Sequence, residues 1–517
     1  MLLRWPRLTA LLAGAIGATG YVPLGLWPLT IASLAVLVWL VWQAKGWKSA
    51  AMRGWLFGLA HLTLANNWIA TAFTHQSEMP ALLGWIAVPL LCAYLAVYPA
   101  LAAALAHNVT ARTRGGLAAF TGLFAAFWIV TEWLRGWAFT GYPWPPLGLA
   151  LLGPFDRPGW AAVLPFTGTY ALSGVAVLFA GGILLAAIHR RWVPLAAGVA
   201  IIVAGTFIPV GEPREGTLRY TLVQPNIEQA DLIDPRQYEP SFLTLAGLSV
   251  RGNTAEPRLV TWPESGLPDY LRPGYPARYY AATTARSDPD FARQRIAQVI
   301  GQNSLLLTGA TELEIEQGRA IGAYNTVTAL DDGGTIVDTY SKAHLVPYGE
   351  YLALRWLLEP LGASRLVAGT LDFIPGPGPR TLDLGAYGRA GVQICYEIVF
   401  SGQVVDAANR PDYIFNPSND GWFGSWGPPQ HLAQARLRAI EEGLPVLRST
   451  TTGISAVIDA RGVVRQSLGA GVQDRLEGFV PPAHPSTPFA RLGNWLPLGW
   501  ALLLLVVSLV ATRRRHR

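Results

Sequence analysis

Apolar positions run in long unbroken blocks through the first part of the chain, then give way to short strings separated by polar and turn residues. Blocks long enough to cross a bilayer lie at about 8–24, 27–43, 54–73, 81–106, 115–134, 166–188 and 192–210, with an eighth at about 492–511. They predict a membrane domain over residues 1–215 with seven transmembrane helices, and a terminal helix with a basic tail over 486–517. The first block is followed closely by the second and has no convincing small-residue cleavage site, so it reads as a retained span.

Residues 216–485 follow a different pattern. Short apolar strings recur: LRYTLVQPN, PRLVTWPES, SLLLTGA, NTVTALDD, GTIVDTYSK, AGVQICYE, DYIFNPSN and PVLRSTTTG. Asp332-Gly333-Gly334 reads as a hairpin turn between two of them. Helical periodicity falls between others, at 290–302 and 429–442. Strands interleaved with helices predict a layered α/β domain.

Composition agrees with the membrane reading. Hydrophobic residues make up 51% and charged residues 14%, with a mean hydropathy of +0.30. The net charge is +6, but the basic residues sit in clusters between apolar blocks, which is a topology signal rather than a nucleic-acid-binding face. Arg4 and Arg7 precede the first block. Lys45, Lys48 and Arg53 follow the second, Arg112 and Arg114 the fourth, Arg190 and Arg191 the sixth, and Arg513, Arg514, Arg515 and Arg517 the eighth. Alternate loops are basic, so both termini are expected in the cytoplasm and the α/β domain outside, in the periplasm of a Gram-negative cell.

Only two cysteines are present. Cys92 lies in an apolar block and reads as a small buried hydrophobe. Two cysteines in segments of different character argue against a disulfide framework, and without a His-rich tract they argue against structural zinc. Three ionisable residues each end an apolar string: Glu264 after LVTWP, Lys342 after TIVDTYS and Cys395 after AGVQI. In α/β sheets reactive groups gather at the carboxyl ends of strands. A thiol needs a base, and the oxyanion of an attacked carbonyl needs donors such as an ammonium and the Tyr396 backbone N–H. Each residue also has an ordinary reading: a core thiol, a surface lysine and a turn glutamate. Spacing alone does not decide between them.

The motifs around the three positions do. WPES, YSKAHLVPYGEY and QICYEIVF resemble the nitrilase superfamily, in order and at compatible separations. TEWLRGWAFTGYPWPPLG at 131–148 and SNDGWFGSWGPPQHLAQARLRAIEEGLPVLRSTTTG at 418–453, with the flanking apolar blocks, resemble the apolipoprotein N-acyltransferase family over nearly the whole chain. The resemblance implies an α-β-β-α sandwich, Glu264 as general base, Lys342 as oxyanion stabiliser and Cys395 as nucleophile. It implies support from Glu350, Tyr396 and Glu397. The tryptophan that can follow the VQ-x-NI motif in the family is absent here, where Ile233 stands near that place. Trp144 in GYPWPP is expected to contact lipid, as are Trp422 and Phe423 in NDGWFG, the latter pair as the apolar tip of a mobile lid between Gly421 and Gly424.

The resemblance further implies an inner-membrane enzyme that needs no metal or organic cofactor and acts as a monomer. It would take an acyl chain from a phospholipid, phosphatidylethanolamine being expected, through a thioester on Cys395. The acceptor would be the α-amino group of a diacylglyceryl apolipoprotein. A membrane-tethered amidase with the same triad would hand the acyl group to water instead. A transporter would need intramembrane charges, and the candidates are few: His61 within the third block, Glu132 and Arg135 at the end of the fifth.

Overall fold

In the computed structural model the described residues are 4–75, 82–250, 256–353, 355–358 and 371–514, so Arg515 and Arg517 of the basic tail lie outside them. The apolar blocks fold as α1 (Pro6–Ala18), α2 (Trp27–Trp42), α3 (Trp47–Ala65), α4 (Leu82–Leu95), α5 (Val97–Thr113), α6 (Leu117–Arg135), α7 (Leu164–Ile188) and α8 (Trp192–Gly205). Every expected span carries helix, but they are not eight equal spans. Among the described residues, four helical runs are long and apolar enough to cross a membrane: Leu82–Thr113, Leu117–Arg135, Trp160–Ile188 and Trp495–Thr512. The 13-residue α1 is about 20 Å long, short of a hydrocarbon core of about 30 Å. The third block was expected to run on to residue 73, but α3 ends at Ala65, where Asn66 turns its amide back to the Leu62 carbonyl. The fourth becomes two helices joined through Ala96, near Pro99, which has no N–H for the Leu95 carbonyl. Close packing holds the bundle together. A Cβ on Gly14 would lie 2.2 Å from the Phe57 carbonyl oxygen, so only glycine lets α1 approach α3 this closely.

The second domain is a sandwich of two six-stranded sheets. One follows the order β12-β1-β2-β3-β4-β5 and the other β11-β10-β9-β8-β7-β6. The first comprises β1 (Arg219–Gln224), β2 (Arg258–Thr261), β3 (Ser304–Glu316), β4 (Arg319–Asp331), β5 (Ile336–Ser341) and β12 (Asp474–Phe479). The second comprises β6 (Thr381–Asp383), β7 (Arg389–Val392), β8 (Tyr413–Ser418), β9 (Val446–Thr450), β10 (Ser455–Ile458) and β11 (Val464–Leu468). Parallel trios, β1-β2-β3 and β7-β8-β9, form the two centres. The expected turn joins β4 to β5, where the Asp331 carboxylate accepts from the backbone N–H groups of Gly333 and Thr335.

Apolar side chains from both sheets, including Leu222, Leu259, Val327, Val392, Phe415 and Leu447, fill the space between them. Outside the first sheet lie α9 (Tyr238–Ser249) and α10 (Pro289–Ile300), packed on Val260 and Trp262. Outside the second lies α11 (Gly427–Glu442), opened by Pro428 and closed by left-handed Gly443. One face of α11 packs Leu432, Ala435 and Ala439 on the second sheet, and another packs Ala433, Leu437 and Ile440 on the membrane helices. The helix is therefore sealed on both sides, and it joins the layers α-β-β-α to the bundle. The chain ends in α12 (Trp495–Arg514), packed on α6 and α7.

Candidate active site

The parallel centres bring β2, β7 and β8 to one edge with their carboxyl ends together. Strand β5, antiparallel to β4 and so running the same way as β3, ends there too. Glu264 therefore follows β2, Lys342 follows β5 and Cys395 follows β7. Pro263 has no N–H to extend the ladder and turns the chain outward at Glu264. Gly309 makes room: a Cβ there would lie 2.7 Å from the Glu264 Cα.

Lys342 Nζ sits 3.3 Å from Glu264 Oε1 and 3.0 Å from Glu350 Oε1. Asn325 Nδ2 donates to the same two oxygens, at 2.7 and 2.8 Å. The remaining oxygens accept from backbone: Glu264 Oε2 from Asn419 N–H at 2.9 Å, and Glu350 Oε2 from Val346 N–H at 2.8 Å. All three charged side chains are buried. Burial alone would lower the Lys342 ammonium, but the carboxylates of Glu264 and Glu350 outweigh it and hold the group above its ordinary range.

Cys395 is 5% exposed and opens a short helical turn at φ +50°. Burial, then the charge of Glu264, push its thiol well above the usual range, while Lys342 and the Asn419 N–H pull it back. Cys395 rests as a thiol, and to act as a nucleophile it would have to lose that proton, which suits a neighbouring carboxylate. Glu397 ties the two halves together. Its Oε1 accepts from Tyr340 Oη–H at 2.8 Å, Ala343 N–H at 2.7 Å and His344 N–H at 3.1 Å, and its Oε2 from Ile394 N–H at 2.8 Å. Burial pushes the Glu397 carboxyl up to about 7 against the pull of those N–H groups. Tyr396 reaches across to the bundle and donates its hydroxyl to the Gly141 carbonyl at 3.3 Å.

The profile of the apolipoprotein N-acyltransferase N-terminal domain matches residues 13–182, and that of the carbon-nitrogen hydrolases matches 222–473. An apolipoprotein N-acyltransferase of Rhodopseudomonas palustris is 35% identical over 99% of this chain and 96% of its own length. One of Bradyrhizobium diazoefficiens is 34% identical over 99% and 95%. The chain belongs to the apolipoprotein N-acyltransferase family. It is an acyltransferase of lipoprotein maturation and a membrane protein. Among solved structures it is similar to an amidase from Nesterenkonia sp., with 18% identity over 53% of this chain and 94% of that one, at TM-score 0.36. A Saccharomyces cerevisiae member of the nitrilase superfamily gives 19% identity over 53% and 93%, also at 0.36.

The structure brings Glu264, Lys342, Cys395, Glu350, Tyr396 and Glu397 to one place. It buries Trp144, which was expected to contact lipid. That side chain is 0% exposed, donates to Gln430 Oε1 on α11 at 2.8 Å and packs against Trp68 and His431. Phe423, expected at a lid tip, packs against Trp68, Trp144 and His431, and Trp422 faces His75. Glu132 and Arg135 hold the loop carrying Trp144, through Leu147 N–H at 2.8 Å and the Pro145 carbonyl at 2.8 Å.

The sequence reading passed over Asn325 and Asn419, which complete the carboxylate cage. It also passed over Asp420, His431 and Arg448, a buried set behind Cys395. One signal was available for Arg448: a charge in the middle of the apolar string PVLRSTTTG.

Proposed function

We propose that this enzyme works through a thioester on Cys395. Glu264 takes the thiol proton as sulfur attacks the ester carbonyl of a phospholipid. Lys342 Nζ and the Tyr396 N–H receive the oxyanion. The C–O bond to the glycerol oxygen breaks, Glu264 returns the proton to that oxygen, and a lysophospholipid leaves. The α-amino group of an S-diacylglyceryl cysteine then attacks the thioester, the C–S bond breaks, and the amine proton passes through Glu264 back to sulfur. The observation that carries this reading is the buried Glu264–Lys342–Glu350 cage beside a covered thiol. It offers a base, an oxyanion partner and little water to hydrolyse the intermediate.

Phosphatidylethanolamine is the donor in this reading, from its sn-1 chain, and the enzyme acts as a monomer. The eight helical segments serve as eight passes through the inner membrane. Both termini then lie in the cytoplasm and the 216–485 domain in the periplasm, as the basic loops indicate. Glu350 supports Lys342 and does not itself transfer the proton.

Intact-mass spectrometry of the full-length enzyme after exposure to phosphatidylethanolamine tests the mechanism. One acyl mass should appear on wild type and none on Cys395→Ala. A wild type that never gains the mass rules the mechanism out. Free fatty acid as the product, with no acylated lipopeptide when acceptor is present, would favour the tethered-amidase alternative.

A further inference from the structure

We propose that His431 is a positioning residue for this reaction, orienting and polarising the Cys395–Tyr396 peptide so that the Tyr396 N–H becomes an effective oxyanion donor. The inference rests on the thioester mechanism above and adds a residue that takes no part in its proton transfers.

The geometry begins with Cys395 itself. At φ +50° the residue is in the left-handed region, where a non-glycine residue stays only if its surroundings hold it there. His431 Nε2 lies 3.0 Å from the Cys395 carbonyl oxygen. A carbonyl can only accept, so Nε2 carries the hydrogen of this bond. The Cys395 C=O and the Tyr396 N–H belong to one planar trans peptide and point in opposite directions. Holding the carbonyl toward α11 therefore aims the N–H away from it, toward the side where an attacked carbonyl oxygen would develop charge. A hydrogen bond at the oxygen end of an amide also strengthens donation at its N–H end.

The imidazole is fixed on every side. Its Nδ1 lies 3.0 Å from Arg448 Nη2 and 2.9 Å from Asp420 Oδ1. Arg448 binds both Asp420 oxygens, at 2.9 and 2.7 Å, and reaches Asn416 Oδ1 and Ser418 Oγ on β8. The rings of Trp144 and Phe423 stand 5.1 and 5.6 Å from the imidazole. His431, Asp420 and Arg448 are all buried. No hydrogen bond links His431 to Glu264 or Lys342 among the described residues. The set is thus rigid backing for one peptide group and stands apart from the acid–base pair. Through Trp144, held by Glu132 and Arg135, the membrane bundle is part of that backing.

Two reactions of the same sulfur separate positioning from mere packing. Acylation by phosphatidylethanolamine in detergent micelles builds an oxyanion. Alkylation by iodoacetamide displaces iodide at a tetrahedral carbon and builds none. His431→Leu should slow single-turnover acylation by about 10- to 100-fold, somewhat less than the loss of a whole oxyanion donor, with KM for the lipid unchanged. Its alkylation rate should match wild type. His431→Gln, whose amide can still donate to the Cys395 carbonyl, should recover most of the acylation rate, and His431→Asn, one methylene shorter, should not. Unchanged acylation in the leucine variant overturns the proposal. So does a parallel loss of acylation and alkylation, or a glutamine variant no better than asparagine. If the leucine variant does not fold, the glutamine–asparagine contrast decides alone. A wild type that alkylates but takes no acyl mass overturns the thioester mechanism, and this inference with it.

Discussion

Two buried charge networks in this protein follow opposite rules. Around Lys342 one cation is shared by two carboxylates, and a thiol lies beside them. On α11, Glu441 is matched instead to fixed partners from three segments. Its Oε2 pairs with Arg438 at 2.8 Å, and its Oε1 accepts from the N–H and hydroxyl of Thr169 on α7, at 2.6 and 2.7 Å, and from Ser401 at 2.9 Å. The first network holds an excess of negative charge beside a thiol proton. In the second, Glu441 has a cation of its own and no thiol lies beside it, and the network fastens the catalytic domain to the bundle. Burial of charge is therefore not what marks the candidate active site here. The mark is a carboxylate whose share of its cation is incomplete, placed next to a group that can give up a proton.

The sharpest way to break this comparison is to disable each network in turn. Glu264→Gln keeps the shape of the cage but removes the proposed base, so acyl transfer should fall by about 10²- to 10⁴-fold while the protein remains folded. Activity within a few-fold of wild type would assign the base to another group. Glu441→Leu should do the reverse. It strands the Arg438 guanidinium in the junction, and breaking a buried pair costs about 3–5 kcal/mol, which should appear as a large drop in thermal midpoint in detergent. Acyl transfer per folded molecule should hardly change. A collapse of kcat at unchanged stability would place Glu441 in the chemistry and dissolve the distinction.

Trp144 sits where the two regions meet, so a milder change there sharpens the comparison. Trp144→Phe keeps an aromatic ring against Trp68 and His431 but leaves Gln430 Oε1 without its donor. The stability cost should be about 1–3 kcal/mol. A residue that merely anchored the protein in lipid would show no such loss in detergent, so an unchanged midpoint would return Trp144 to the surface role its loop suggested.

What could be read from the chain beforehand follows the range of the interactions involved. Glu264, Lys342 and Cys395, which the structure brings together, could be singled out as candidates because each is fixed locally, at the end of an apolar string and inside a run of motif residues. The strands that carry them were legible for the same reason. Strands β11 and β12 were not: VRQSL and DRLEGF are partly exposed edge strands without a strong apolar alternation. Asn325 was invisible as a site residue because its role depends on partners on two other segments, reached only once β4 pairs with β5. Trp144 was misplaced because its loop lies near the expected membrane surface, and nothing local says that α11 will cover it. Each of the eight expected spans carries helix, but only four helical runs among the described residues are long and apolar enough to cross a membrane, and hydropathy does not show the breaks at Asn66 and Ala96.

A pH-dependent effect lies one residue from the junction pair. Burial, then the charge of Glu441, push the Glu442 carboxyl from 4.5 up to about 7. Its folded value is therefore raised above its unfolded one. Below about 4.5 both states are protonated and the group has no effect on stability. As pH rises from there to about 7 the unfolded chain ionises first, and stability falls. Above 7 the full cost is present, at most about 3 kcal/mol. Glu442→Gln cannot ionise. It should raise the thermal midpoint at pH 8 and leave it nearly unchanged at pH 4.5, with acyl transfer unaffected. Equal gains at both pH values would mean that the glutamine simply packs better. A loss at pH 8 would mean that Glu442 is a matched charge like Glu441, and that the junction holds no unpaired carboxylate of its own.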